Sequence, residues 1–263
     1  MAQEQAAWLG LLIGNTQLQW GYFTQGALQQ HWKHPHLQIP LGETAQQNES
    51  VMATLPSEYR HLLAGHRLWV ASVVPQQTDY WRPYCQPPVT LAQVPLQGTY
   101  ATLGIDRALA LWGAGQRWGF PVLVVDGGTA LTYTGADSTQ ALVGGAILPG
   151  LGLQMRSLHQ GTAQLPPVDL SDKGASRWAL TTEAAIWSGV FHSAIAGVEA
   201  FLSDWRRQYP HSPVVFTGGD GKRLHRHLAP ALQRHSHYDG AIAMGGLQAV
   251  RRLTLPGARP AGG

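Results

Sequence analysis

The chain has 263 residues, 44% of them hydrophobic and 13% charged, with a formal net charge of +3 and an isoelectric point near 9.2. That is enough chain for one large or two ordinary globular domains, and a mild basic excess with no Lys/Arg run longer than two argues against nucleic-acid binding. A single cysteine, Cys85, excludes an internal disulfide and any multi-cysteine metal site and suits a reducing cytoplasm, while an opening apolar run broken at Gly14 and Asn15 is neither a signal peptide nor a membrane span.

After a polar tail (1–7), "WLGLLIGNTQLQWGYF" reads as strand, tight turn and strand, because Leu18, Trp20 and Tyr22 alternate with polar partners beyond Gly14-Asn15-Thr16. The Gln- and His-rich stretch 25–63 is broken early by Pro35 and Pro40, and a helix is expected over its later part. "RLWVASVVP" (67–75) is a buried strand closed by Pro75. "YWRPYCQPPVTLAQVPLQGTY" is too rich in proline for a helix and reads as a connection with one edge strand. In "LGIDRALALWGAGQRW" (103–118) the apolar residues fall at helical spacing behind Asp106, whose charge suits the positive end of the helix dipole. A strand pair (122–135), a strand over 141–150 and a short helix from Leu151 follow. Thr181-Thr182-Glu183 then open the longest helix, whose apolar stripe is Ile186, Val190, Ala194, Val198, Phe201 and Trp205. "PVVFTGGDG" is a strand ending in glycines, a helix starts near Lys222, "GAIAMGGLQAVRRL" is a final small-residue helix, and "PGARPAGG" is a tail. Strands and helices alternate, with a hairpin in each half, which argues for an α/β chain of two related halves.

The hairpins repeat one another: Leu12-Ile13-Gly14-Asn15-Thr16 lies over Asp126-Gly127-Gly128-Thr129-Ala130. Such tips expose backbone N–H groups, the concave donor array that holds phosphate oxygens, although any single Gly-Gly after a strand is ordinarily just a turn. A third glycine turn, Gly218-Gly219, lies between a strand and a helix, where a nucleotide can meet bare backbone. Only fifteen residues are acidic. Asp126 ends an apolar strand and Asp106 starts an apolar helix, so both are expected to be partly buried and to need a cation, a proton-transfer role or a capping role. The P-loop pattern and the dinucleotide G-x-G-x-x-G are absent. His225/His227 and His235/His237 have metal-pair spacing, but the interspersed Arg226 and Arg234 favour a solvated face.

In order along the chain, "IGNTQLQWG", "LGIDRA", "VVDGGTALTY", "GGAILPG", "TTEAAIWSG" and "VVFTGGDG" resemble the type III pantothenate kinases of the acetate and sugar kinase, Hsp70 and actin superfamily. The resemblance spans roughly 9–250. It implies two actin-like (ribonuclease H-like) α/β domains, placed at 8–117 and 118–255 with tails at 1–7 and 256–263, and an active site in the cleft between them. It further implies ATP-dependent phosphorylation of pantothenate to 4′-phosphopantothenate, the first step of coenzyme A synthesis, by a cytoplasmic homodimer using Mg²⁺ and a monovalent cation, K⁺ or NH₄⁺, with no nucleic-acid or membrane partner. Asp106 is then the general base. Tyr100, Gly104, Ile105, Arg107 and Thr182 contact pantothenate, and the Thr182 helix can come from the partner subunit. Gly14, Asn15, Thr16, Gly128, Thr129, Gly218 and Gly219 contact ATP, and Asp126 holds the monovalent cation. One position departs from the family pattern: the Asp that opens the first phosphate motif is here Leu12, which cannot help position Mg²⁺. A non-catalytic nucleotide- or pantothenate-binding regulator is therefore the alternative, and a sugar kinase of the same superfamily is a third reading.

Overall fold

The computed structural model describes residues 6–38, 44–65, 67–171 and 174–255, with the side chains of 44–48 excepted. It divides into two compact units, Met1–Gln116 with Ala241–Gly263, and Arg117–Gly240. The expected tail at 256–263 and residues 1–5 of the other tail lie outside the described residues.

The first unit is built on a sheet of order β3-β2-β1-β4. Strand β1 (Trp8–Ile13) is buried along its whole length, as its uninterrupted apolar run requires of a central strand. It pairs antiparallel with β2 (Gln17–Thr24) and parallel with β4 (Leu68–Ser72). Strand β3 (Ala27–Pro35) closes the edge; its Gln- and His-rich sequence carries little alternation, which is why no strand was expected there. Leu9, Leu11, Ile13, Leu18 and Trp20 form one core with Leu62, Leu63 and Trp81, the last edge-on to Trp20 at 5.1 Å. Helices α1 (Thr44–Ala53), α2 (Arg60–Ala64) and α3 (Pro75–Asp79) follow the strands, with Pro75 at the first turn of α3, where its missing N–H costs nothing. The proline-rich connection contributes no strand beyond one isolated bridge, Leu68 to Cys85. Helix α4 (Ile105–Trp118) carries Asp106 in its first turn, as its sequence leads one to expect.

The second unit repeats the plan in a sheet of order β7-β6-β5-β8-β9. Strand β5 (Val122–Gly127) pairs antiparallel with β6 (Ala130–Ala136) and parallel with β8 (Val214–Thr217), and β7 (Leu142–Pro149) lies outside β6. The added β9 (Ser236–Tyr238) is too short and too polar to be legible as a strand. Helix α5 is Leu151–Gly161 and α6 is Thr182–Gln208. By length and hydropathy α6 could cross a membrane, yet its apolar stripe lies in the core with Leu123, Val125, Leu131 and Phe216. The stripe runs through Leu202 rather than Phe201, which is 42% exposed and stacks on Tyr133 at 4.1 Å. The short helices α7 (Gly221–Arg226) and α8 (Pro230–Gln233) complete the unit.

Helix α9 (Ile242–Thr254) was assigned by sequence to the second domain, 118–255, but packs within the first unit. Met244 and Leu247 lie against Gly10 of β1, and Gln248 Nε2 and Arg252 Nη2 donate to the Gly26 carbonyl at 2.7 and 2.6 Å. Its apolar face needs a sheet face to cover, and the face holding Gly10 offers room that a larger residue would fill.

Candidate active site

In the first unit the positions singled out from the sequence collect where the parallel strands β1 and β4 end, the edge at which α/β sheets hold ligands. The Gly14 N–H donates to the Gln17 carbonyl at 3.1 Å, closing a turn with Asn15 and Thr16 exposed at its tip. Beside it, the Val73 N–H at the exit of β4 donates to the Ile13 carbonyl at 3.0 Å. A Cβ built on Gly104 would lie 4.0 Å from Val73 Cγ1, so the start of α4 is next to that exit. The same Cβ would meet Asp106 Oδ1 at 2.5 Å, so only glycine lets the carboxylate fold back at this helix start.

Asp106 is half-buried, and its Oδ1 accepts the Arg107 N–H at 2.8 Å. Among the described residues it makes no salt bridge, which leaves the carboxylate an acceptor for a substrate proton. Arg107 is buried at 9% exposure, and its Nη1 donates to the Tyr100 hydroxyl at 3.1 Å, fixing the cation relative to an aromatic ring that is itself 45% exposed. The side chain of Ile105 is buried, so at that position only backbone can face a substrate.

In the second unit two glycine turns converge on one carboxylate. Asp126 sits in β5 opposite Thr132 of β6 and Thr217 of β8. Its Oδ1 would lie 3.3 Å from a Cβ on Gly128 and would overlap a Cβ on Gly218, whose φ of +83° disfavours any side chain in any case. The Asp220 N–H donates to the Gly127 carbonyl at 2.8 Å and ties the second turn to the first. Asp220 is buried and paired with Arg223, a positioning pair that the motif "TGGDG" contained but the sequence reading did not use. The Thr129 carbonyl accepts the Gly150 N–H at 2.9 Å, while the Thr129 side chain is exposed. No atom lies within 4 Å of a Cβ on Gly219, which leaves bare backbone open there. Thr182 is exposed at the start of α6, one residue after the N-cap Thr181, whose hydroxyl accepts the Ala184 N–H at 3.3 Å.

Among the described residues no three His, Cys, Asp or Glu side chains gather as a metal-binding group. The single Asp126 carboxylate lies cradled between Gly128 and Gly218. One histidine of each sequence pair is otherwise engaged: His227 Nδ1 bonds to the Arg223 carbonyl at 2.9 Å, and His237 stacks on Trp118 at 5.0 Å, where burial lowers its pKa below the usual histidine value.

The structure also explains the departure at Leu12. The two hairpins superimpose by register: Leu12 pairs with Gln19 and Ala71, and Asp126 with Thr132 and Thr217, each one residue before the last pair of its hairpin. Leu12 is 5% exposed and fills its place with hydrocarbon.

Two sheets of one order, each a hairpin with a third antiparallel strand and a parallel neighbour, and each with a glycine turn where the parallel pair ends, define the two-domain actin-like class. A Campylobacter jejuni protein named as a Baf family transcriptional activator shares this fold, with a TM-score of 0.60 and 19% identity over 93% of this chain and 98% of its own. The type III pantothenate kinase family model matches residues 8–204. A type III pantothenate kinase of Synechococcus sp. (strain JA-3-3Ab) is 42% identical over 265 residues, covering 100% of this chain and 99% of the relative. One of Nostoc sp. (strain PCC 7120) is 47% identical over 229 residues, covering 81% and 82%. The chain belongs to the type III pantothenate kinase family.

Proposed function

We propose that the protein transfers the γ-phosphoryl group of ATP to the hydroxyl of pantothenate, giving 4′-phosphopantothenate and ADP, with Asp106 as the base. As the pantothenate oxygen bonds to the γ-phosphorus, its proton passes to Asp106 and the bond from that phosphorus to the β,γ-bridging oxygen breaks. The observation that carries the reading is the preassembled start of α4, where Asp106 Oδ1 is fixed by the Arg107 N–H and the Arg107 guanidinium by Tyr100. Phosphoryl transfer asks mainly for alignment and charge neutralisation. Arg107, Tyr100 and Gly104 orient pantothenate, joined by Thr182. Gly14, Asn15, Thr16, Gly128, Thr129, Gly218 and Gly219 hold ATP, and Asp126 holds K⁺ or NH₄⁺, whose charge offsets that of the phosphates. Leu12 would offer Mg²⁺ no ligand, so a magnesium ion neutralising the phosphate charge would have to be carried by the nucleotide itself.

The protein acts in the cytoplasm as a homodimer, a reading supported by its single cysteine and by apolar and small residues left exposed around the start of α6, including Trp178, Leu180, Ala184, Ala185 and Gly189. In that dimer Thr182 serves the partner's pantothenate.

The test is turnover of pantothenate with ATP and Mg²⁺, with K⁺ present or replaced by Na⁺, for the wild type and Asp106→Asn. The expected outcome is K⁺-dependent turnover that falls by about 10²–10⁴-fold in the variant. Hexose phosphorylation without pantothenate turnover, or an unaffected Asp106→Asn, overturns the assignment.

A further inference from the structure

The first hairpin tip lacks the carboxylate that organises the second, yet it is held by a side chain from just beyond β3. His36 Nε2 lies 2.8 Å from the Gly14 carbonyl oxygen. A carbonyl only accepts, so this nitrogen carries the hydrogen and donates. The half-buried ring is steadied from behind. The Leu37 N–H donates to Gln77 Oε1 at 3.1 Å, and Gln77 Nε2 donates to the Leu37 carbonyl at 3.0 Å. Gln77 belongs to α3, which begins three residues after β4 ends, and the Val73 N–H in that gap bonds to the Ile13 carbonyl at 3.0 Å. The exit of β4 thus reaches the tip by two routes, directly through Val73 and indirectly through Gln77, Leu37 and His36.

The consequence lies in one peptide plane. In a trans peptide the carbonyl of residue 14 and the N–H of residue 15 point in opposite directions. Pinning the Gly14 oxygen to His36 therefore aims the Asn15 N–H away from His36, and among the described residues no protein acceptor takes that N–H. We infer that His36 is a positioning residue that presents the Asn15 backbone N–H to a phosphate oxygen of a nucleoside triphosphate, and so supplies by peptide orientation part of what a carboxylate at Leu12 would supply through a metal. The inference rests on reading the Gly14–Thr16 turn as a phosphate site.

The experiment is calorimetric titration of the Mg²⁺ complex of a non-hydrolysable ATP analogue into the wild type, His36→Ala, His36→Gln and Gln77→Ala, with pantothenate turnover measured in parallel. His36→Ala should weaken nucleotide binding by about five- to tenfold, the size of one net hydrogen bond, with the KM for pantothenate unchanged. His36→Gln, whose amide N–H can still donate, should recover most of the loss, and Gln77→Ala should weaken binding by about two- to threefold. Nucleotide affinity within twofold of wild type in both His36→Ala and Gln77→Ala, or no recovery in His36→Gln, overturns the assignment. Should His36→Ala not fold, Gln77→Ala and His36→Gln decide it. A wild type that binds nucleotide with this pattern but does not phosphorylate pantothenate would sink the kinase reading and leave His36 in place; pantothenate turnover whose KM for ATP is the same in His36→Ala as in the wild type would do the reverse.

Discussion

The turns after β1 and β5 occupy the same place in two sheets of the same strand order, yet they are built in opposite ways. The second is organised by charge and backbone: Asp126 lies between two glycines, one with φ at +83°, and the Asp220 N–H bonds to Gly127. The first is organised by packing and side-chain hydrogen bonds: Leu12 is buried, Gly14 is under no steric demand, and His36 holds the tip through a carbonyl. A duplicated frame therefore fixes where a phosphate turn stands but not what holds it. One half places a carboxylate between its glycine turns, and the other holds its turn through a hydrogen bond from the His36 side chain.

Exchanging features between the halves tests this. The largest effect is expected from Gly218→Ala, where a left-handed backbone and an overlap with Asp126 and Gly127 coincide; a loss of about 3 kcal/mol or more in chemical denaturation and of nucleotide binding is expected. Leu12→Asp, which copies the second half into the first, should cost about 3 kcal/mol without metal because a carboxylate enters a buried place, and saturating Mg²⁺ and ATP should return part of it. An unchanged midpoint would show that the place can already take charge. Asp126→Leu, the reverse exchange, should lower turnover by about 100-fold and abolish the difference between K⁺ and Na⁺. Smallest is Gly14→Ala: the nearest atom to its Cβ would be the Gln17 carbonyl at an ordinary 3.5 Å, so stability should change by only about 0.5 kcal/mol. Any loss of ATP affinity in that variant then measures how closely a phosphate approaches the turn.

Much of this was legible in the chain itself. The apolar runs of β1, β4, β5 and β8, the start of α4 and the 27-residue α6 follow from periodicity and capping. Strands β3 and β9 were not, because an edge strand satisfies its backbone through one neighbour and needs little apolar patterning. Phe201 was misplaced by one residue on its helix face, since a stripe read at steps of three and four leaves Phe201 and Leu202 equally placed until a sheet lies beside them.

The sequence by itself determined the family and picked out Asp106, Asp126 and the three glycine turns, because each is a local pattern of residue type and spacing. Tertiary structure alone decided that α9 returns to the first unit, that Gly128 and Gly218, ninety positions apart, close on the same oxygen of Asp126, and that His36 reaches Gly14 across twenty-two residues. These are contacts between distant segments whose partners are set by sheet order and register, and no window along the chain contains both sides of any of them.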